Sequence, residues 1–335
     1  MSTVNSIISS ATSDVDKIRA IKDLVSNDHQ LIRTIPDDFN TNERSKSFSM
    51  LLILLKIELL LISDEFDPSI IATYLKQVQS LLPKNSTNTT SNSDLTYLKL
   101  KYDDLYTDFQ LLYPPKYMDL VNKKLILLNN MHNNQQNILE WTPELLQLVV
   151  DIYHKTTECL LLTGNEFLKN NILQHLQKIL NENDPISHEF NKSISPTTSF
   201  FFDRNIRKQC VSWQQFEEFL RHAHTPWIRK LALKQPLPHT LLCNQLENNI
   251  SLLSKYYLNI SLSKIKSLFE VPDSIDIEDL VATMVIKDKL PPHSQIDQIK
   301  SVLYFGGDTE VYNPENQHVK DICLLVDEIV TLIGE

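Results

Sequence analysis

The stretch LSKYYLNISLSKIKSLFEVPDSIDIEDLVATMVIKDKLPPHSQIDQIKSVLYF, residues 253–305, combines helical spacing in its first part with two short apolar segments in its last part. The spacing predicts a helix over Leu246–Tyr257, a short second helix that Ser261 caps, and a third at about Ile275–Lys287. The apolar segments around Gln295–Ile299 and Val302–Phe305 predict a two-stranded hairpin. Three helices followed by a hairpin is the order of a winged helix, which we predict for residues 246–306.

The preceding two hundred residues show repeated helical patterns joined by short turns. The clearest helix has Thr142 as a predicted N-cap, Pro143 at its first position and Gly164 just past its end. Further helices are predicted at about 13–24, 47–63, 68–82, 95–112, 117–128, 167–180 and 213–221. Residues 186–202 are predicted to be a polar connection. Antiparallel helix pairs favour an α-solenoid of TPR- or HEAT-like character over residues 1–200. Because no strict repeat period is present, an irregular helical domain is the alternative.

The composition excludes several classes of protein. The chain has 4 glycines in 335 residues, about a sixth of the usual share of roughly 7%. It contains neither a glycine-rich dinucleotide fingerprint nor a phosphate-binding P-loop. The longest apolar run, Met50–Ile62, is interrupted by Lys56 and Glu58 and is shorter than the roughly 20 residues that cross a bilayer. We therefore expect neither a nucleotide cofactor nor a membrane partner.

The cysteines and the first residues predict an intracellular protein. The four cysteines are far apart and form no CxxC pair, which is typical of reduced thiols; they are Cys159, Cys210, Cys243 and Cys323. The start, MSTVNSIISSATSD, lacks the basic and apolar regions of a signal peptide. We expect a cytoplasmic and nuclear location.

Charge argues against nucleic-acid binding. The formal net charge is −10, from 32 basic and 42 acidic residues, whereas nucleic-acid binding requires positive surface. The start of the third helix, where a winged helix would contact phosphates, carries Asp276, Glu278 and Asp279. We expect no nucleic-acid partner.

A last helix is predicted over residues 314–335. Its apolar residues are spaced three and four apart, which is a heptad seam; they are Val319, Ile322, Val326, Ile329 and Ile333. Such a seam packs either against its own chain or against helices of other chains.

No arrangement of residues predicts catalysis or metal binding. A deneddylating metalloprotease has a His-x-His pair followed eight and eleven residues later by serine and aspartate, and His222 and His224 are followed there by Ala232 and Gln235. The site would lack its third ligand. HExxH does not occur. We expect no metal, no cofactor and no catalytic residue.

Residues 257–305 resemble the C-terminal winged helix of PCI-domain proteins. These are helical scaffold subunits of the proteasome lid, the COP9 signalosome and translation initiation factor 3. The matching residues are Tyr257, Ile260, Ser261 and Leu262, then Leu268, Phe269, Val271 and Pro272, then Val281, Met284, Val285 and Ile286, and finally Ile296, Asp297 and Gln298. Within the family, the I-D-Q wing and the strand that ends at Phe305 look most like a signalosome subunit.

The resemblance implies a PCI module over residues 201–310 and an assembly role. Winged helices of such subunits pair edge to edge, so the implied wing interface consists of Ile296, Asp297, Gln298, Val302, Tyr304 and Phe305. The terminal seam would join a helix bundle of several subunits. Partners would be other PCI subunits, a JAMM-type metalloprotease subunit and cullin-RING ligases, whose cullins lose Nedd8. A proteasome-lid or initiation-factor subunit, a PCI protein of messenger RNA export, and an enzyme with a cryptic site are the alternatives.

Overall fold

The computed structural model describes residues 2–8, 14–27, 32, 35, 46–63, 67–82, 93–111, 116–133, 142–164, 168–181, 184–233 and 237–306. In these residues the elements are, in chain order, α1 (Ser2–Ile8), α2 (Asp14–Asn27), α3 (Lys46–Ile62), α4 (Pro68–Leu81), α5 (Ser93–Leu111), α6 (Tyr117–Asn133), α7 (Pro143–Leu162), α8 (Lys169–Leu180), α9 (Pro185–Ser193), α10 (Pro196–Ile206), α11 (Trp213–His222), α12 (Pro226–Leu233), α13 (His239–Leu253), β1 (Asn259–Ser261), α14 (Leu262–Leu268), α15 (Ile277–Ile286), β2 (Gln295–Asp297) and β3 (Val302–Tyr304).

The chain divides into two compact units. Unit 1 consists of Met1–Leu162, Asn171–Phe202 and Glu217–Pro236, and unit 2 of Thr163–Asn170, Asp203–Phe216 and Leu237–Glu335. The predicted division into residues 1–200, 201–310 and 314–335 stays a prediction.

Unit 1 begins with an array of helices in which each helix from α1 to α6 contacts the next one along the chain. Contacts run from α1 to α2 and α3, and from there through α4 and α5 to α6 and α7, while α9 packs on α7. One apolar core joins α1, α2 and α3, and a second joins α3, α4 and α5. Helix α3 takes part in both cores, so nearly its whole circumference is buried. This burial explains why the sequence of α3 is apolar on all sides. Among the described residues, no helix is long and apolar enough to cross a membrane.

The predicted polar connection over residues 186–202 is wrong, because the segment forms α9 and most of α10. Both helices begin with a capping side chain followed by proline. Asp184 accepts a hydrogen bond from the N–H of Ser187 at 2.7 Å, and Ser195 accepts one from the N–H of Thr198 at 3.1 Å. These caps satisfy backbone donors at the helix starts. Most polar residues of the segment lie on the outer faces of these short helices, while Ser187 and Thr198 are buried together with Phe190, Phe201 and Phe202.

Unit 2 contains the predicted winged-helix elements. Helices α13, α14 and α15 precede the β2–β3 hairpin, as the sequence predicts, and Ser261 caps α14 by accepting from the N–H of Lys264 at 3.2 Å. Strand β1 is not among the elements predicted from the sequence. This strand pairs antiparallel with β3 and gives a three-stranded sheet in the order β1-β3-β2.

Helix α13 holds the separate segments of unit 2 through buried polar side chains. Asn248 donates to the C=O of Thr163 at 2.9 Å, and Glu247 forms an ion pair with Lys289 at 2.6 Å. Gly164 lies so close to the Glu247 carboxylate that a Cβ atom would overlap it. A Cβ atom here would displace the end of the Glu247 side chain, whereas positive φ does not explain this glycine, since no glycine of the described residues has it.

The predicted fold class is confirmed: the chain is mainly helical, with an N-terminal helix array and a small antiparallel sheet near residue 300. The predicted terminal helix, with its seam residues, lies outside the described residues.

Candidate interaction surface

The hairpin predicted as an interface leaves the outer side of β2 unpaired in the part of the chain that the structure describes. Strand β3 is central, because it pairs with β1 on one side and with β2 on the other. The backbone groups of Val302 and Tyr304 are therefore occupied within the sheet. A shared sheet with a second protein would form through β2 or β1 and not through β3.

The register identifies the backbone groups on the outer side of β2. The N–H of Phe305 donates to the C=O of Leu258 at 2.8 Å, which sets the alternation of bonds along β3. The backbone N–H and C=O of residue 303 therefore point toward β1. Those of Val302 and Tyr304 point toward β2, where they lie opposite Asp297 and Gln295, respectively. The N–H and C=O of Ile296 consequently point outward, away from β3.

Burial divides the predicted wing interface into two groups. The side chains of Ile296, Asp297, Val302 and Tyr304 are half-buried and that of Gln298 is exposed. Phe305 is 6% exposed, so its side chain belongs to the core of the chain. The apolar side chain most available at the wing tip is one that the sequence analysis did not select, Ile299, which is 98% exposed. The sequence signal for this exposed residue is its position, because Ile299 lies among polar residues of the turn between the two strands.

The base of the wing is fixed by a close backbone approach. The N–H of Gly306 donates to the hydroxyl of Ser294 at 3.2 Å, and a Cβ atom on Gly306 would overlap the backbone of residues 292–294. Only glycine fits here. The hairpin is therefore stabilised at its open end by this contact, in addition to the backbone hydrogen bonds between β2 and β3.

The start of α15 is acidic, as predicted. Asp276 caps the helix, accepting from the N–H of Glu278 at 2.9 Å and from the N–H of Asp279 at 3.3 Å. The carboxylate thus already occupies the donors that would meet a phosphate group. The expectation of no nucleic-acid partner stays a prediction.

The His222–His224 pair is divided between two environments. His222 is exposed and its Nδ1 lies 2.9 Å from the C=O of Glu218. His224 points toward α7, where its Nε2 lies 3.1 Å from Asp151 and its ring stacks on His154 at 4.3 Å. Within the described residues, no group of three His, Cys, Asp or Glu side chains could hold a metal ion.

The three cysteine thiols of the described residues have raised pKa values. Burial raises the pKa values of the Cys159, Cys210 and Cys243 thiols. Cys243 lies 3.5 Å from the Nδ1 of His239, one turn earlier on α13, yet its pKa remains above its ordinary value. A nucleophilic cysteine requires a lowered pKa.

A cavity of about 370 Å³ lies in unit 1 between α2, α3, α5 and α7. On its wall, Glu58 forms ion pairs with Lys101 at 2.7 Å and with Lys22 at 3.0 Å. Burial alone would raise the pKa of Glu58, but the two ammonium charges lower it to about 2. The carboxyl group therefore stays ionised at neutral pH, unlike a general acid with a pKa near neutrality.

The family model of the PCI domain matches residues 217–306. The match includes the last segment of unit 1 and ends at Gly306, directly after β3. The three-helix and hairpin arrangement described above is thus that of a PCI domain. PCI domains occur in scaffold subunits that are generally non-catalytic and that interact with other subunits of a PCI complex.

No curated protein matches this chain in a comparison of sequences.

Proposed function

We propose that this chain is a non-catalytic scaffold subunit of a COP9-signalosome-like complex, most similar to signalosome subunit 4. The PCI domain with an unpaired outer side of β2 is the observation that carries the proposal. An unpaired strand edge offers backbone donors and acceptors to a second strand, which is how sheets extend between chains. The I-D-Q wing, Ile296–Gln298, supports the choice of complex, because it resembles the wing of signalosome subunits.

In this proposal the chain contributes two contacts to the assembly. The wing pairs with a neighbouring PCI subunit, and the predicted terminal helix joins a bundle through Val319, Ile322, Val326, Ile329 and Ile333. Removal of Nedd8 from cullins is carried out by a JAMM-type metalloprotease subunit and not by this chain. The complex acts in the cytoplasm and nucleus on cullin-RING ligases.

Affinity purification followed by mass spectrometry tests the proposal. The tagged chain is compared with a version that ends at Pro314 and therefore lacks the predicted seam. We expect the full-length chain to co-purify other signalosome PCI subunits and the metalloprotease, and the shortened chain to lose them.

Other outcomes distinguish the alternatives. Recovery of proteasome-lid or initiation-factor subunits would keep the scaffold role and refute the choice of complex. Recovery of messenger RNA export proteins would place the chain in a different class. A chain that is purified alone and monomeric would contradict the assembly role.

A further inference from the structure

The cavity in unit 1 has both apolar and charged walls. Each of the helices α2, α3, α5 and α7 presents residues three or four positions apart to it, so one face of each helix contributes. Its apolar lining residues are Ile18, Leu51, Leu54, Leu55, Pro143 and Leu148. Its volume of about 370 Å³ falls within the range of about 300–1,000 Å³ that is usual for small-molecule sites. The cavity can therefore hold a small molecule with an apolar part.

The wall formed by α2, α3 and α5 carries more positive than negative charge. Lys22 and Lys101 both bind the carboxylate of Glu58, at 3.0 Å and 2.7 Å. Arg19 adds a third cation to this wall. Among the described residues of these three helices that line the cavity, Glu58 is the one acid. One carboxylate thus faces three cations, so this wall attracts a further anionic group.

The wall formed by α7 is acidic and has acceptors without a partner. Glu144 forms no ion pair or hydrogen bond with any residue that the structure describes. Gln147 and His224 both bind Oδ1 of Asp151, at 2.9 Å and 3.1 Å, which leaves Oδ2 without a hydrogen-bond partner in the described part of the chain. Tyr97 of α5 lines the same cavity, and its hydroxyl makes no hydrogen bond to a described residue. These groups would be satisfied by a cationic donor.

We propose that the cavity in unit 1 binds a free amino acid with an apolar side chain. The carboxylate of the amino acid lies near Lys22 and Lys101, and its ammonium group lies near Glu144 and Asp151. Its side chain packs against the leucines of α3. Partial exclusion of water strengthens these charge-assisted bonds, because the effective dielectric constant in a cavity is lower than in bulk solvent.

Charge of both signs favours a zwitterion over a molecule with one kind of charge. A simple anion would meet Glu144 and Asp151 without compensation, and a simple cation would meet Lys101 and its neighbours in the same way. All the residues that line the cavity precede residue 217, where the PCI match begins. The inference therefore goes beyond the proposed scaffold role and does not depend on which complex the chain joins.

Isothermal titration calorimetry on the full chain tests the site with three probes. L-leucine carries both charges and an apolar side chain. The analogue 4-methylpentanoate lacks the ammonium group, and isopentylamine lacks the carboxylate. We expect leucine to bind about tenfold or more tightly than either analogue, since each analogue leaves one wall without its counter-charge.

A matched pair of variants tests the acidic wall. Glu144→Gln removes one of its charges, and Asp119→Asn is the control, because Asp119 is also an acid in the first turn of its helix and does not line the cavity. We expect Glu144→Gln to weaken leucine binding by about tenfold and not to weaken the binding of 4-methylpentanoate, which has no ammonium group. The control should bind leucine within about twofold of the unaltered chain.

Three results would overturn the proposal. They are no detectable binding of leucine, equal affinities for leucine and 4-methylpentanoate, and an unchanged leucine affinity in Glu144→Gln. None of them alters which proteins co-purify with the chain, so this proposal and the proposed scaffold role fail separately.

Discussion

Asn249 binds both backbone polar groups of Val211. Its Oδ1 accepts from the N–H of Val211 at 3.0 Å, and its Nδ2 donates to the C=O of Val211 at 2.8 Å. Both residues are 3% exposed. One amide side chain thus replaces a strand partner for Val211 and attaches the segment 203–216 to α13.

Replacing Asn249 with alanine is expected to lower the free energy of unfolding by about 2–3 kcal/mol, because the buried N–H of Val211 loses its partner and the C=O of Val211 keeps only Gln245 Nε2, at 3.5 Å. Urea unfolding followed by circular dichroism measures the change. Asn171→Ala, at an exposed position of α8, serves as the control and should change stability by less than about 0.5 kcal/mol. Similar stabilities of the two variants would show that the Asn249 bonds contribute little.

A buried network of two lysines and two aspartates joins α5, α6 and α7. Lys124 contacts Asp104, and it lies 2.6 Å from Asp108. Lys155 lies 2.7 Å from each of the same two carboxylates. Lys124 is fully buried, so its charge is compensated only within this network.

Lys124→Met is expected to lower the free energy of unfolding by about 3–5 kcal/mol, because it leaves two buried carboxylates to share one lysine. Thermal and urea unfolding measure the loss. Lys123→Met is the matched control, since Lys123 is exposed and bonds only Gln110, at 3.0 Å, among the interactions of the described residues. It should cost less than about 1 kcal/mol. A loss of similar size in both variants would contradict a structural role for the network.

His154 is buried in a neutral form. Its ring stacks between Phe190 and His224, each at 4.3 Å, and its Nε2 lies 2.8 Å from the Ser193 hydroxyl. Ser193 donates its own proton to the C=O of Glu189, so it accepts from His154. The Nδ1 atom of His154 is buried and has no hydrogen-bond partner among the described residues. Burial and the charge of His224 lower the pKa of His154 to about 3.

The lowered pKa makes stability depend on pH. The pKa of His154 in the folded protein is below its unfolded value of about 6.5. The contribution of neutral His154 to the free energy of unfolding is therefore fully present above pH 6.5 and is lost as the pH falls toward 3. Between pH 7 and pH 5 we expect His154 to account for a loss of about 2 kcal/mol. The slope of unfolding free energy against pH measures it. His154→Phe should flatten this slope and His188→Gln, at an exposed position, should not. An unchanged slope in His154→Phe would contradict the assignment.

Ile296→Pro tests the outer side of β2 directly. The substitution removes the outward N–H, whereas the bonds of Gln295 and Asp297 to β3 remain. We expect the variant to stay folded by circular dichroism and to lose at least one of the subunits that co-purify with the unaltered chain. Asn171→Ala, at an exposed position of α8 and outside the predicted wing interface, is the control that should retain them. Full retention of partners by Ile296→Pro would refute edge pairing through β2.

Elements with strong local signals could be predicted from the sequence. Helices α5, α7 and α15 follow regular apolar spacing, α3 is a continuous apolar run, and Thr142 and Ser261 cap their helices as expected. The hairpin could be predicted because two apolar segments flank a polar turn. Helices α9 and α10 were missed although Asp184-Pro185 and Ser195-Pro196 are start signals, because the polar residues between them outweighed the buried aromatic residues.

Features that depend on distant residues could not be predicted. β1 has three residues and is stabilised by β3, which lies about forty positions later. The stack of His154 on His224 and the pairing of Asn249 with Val211 also join separate segments. For the candidate interface, the sequence identified the hairpin, but only the strand order showed that β3 is central and that β2 presents the outer side.

The most direct measurement of the central claim is a cullin deneddylation assay on two samples, the tagged chain purified in isolation and the assembly that co-purifies with it. We predict that the isolated chain leaves Nedd8 on the cullin, while the assembly removes it and stops doing so when a zinc chelator is added. Removal of Nedd8 by the isolated chain would contradict the scaffold role, and an intact assembly without activity would contradict its assignment to a signalosome-like complex.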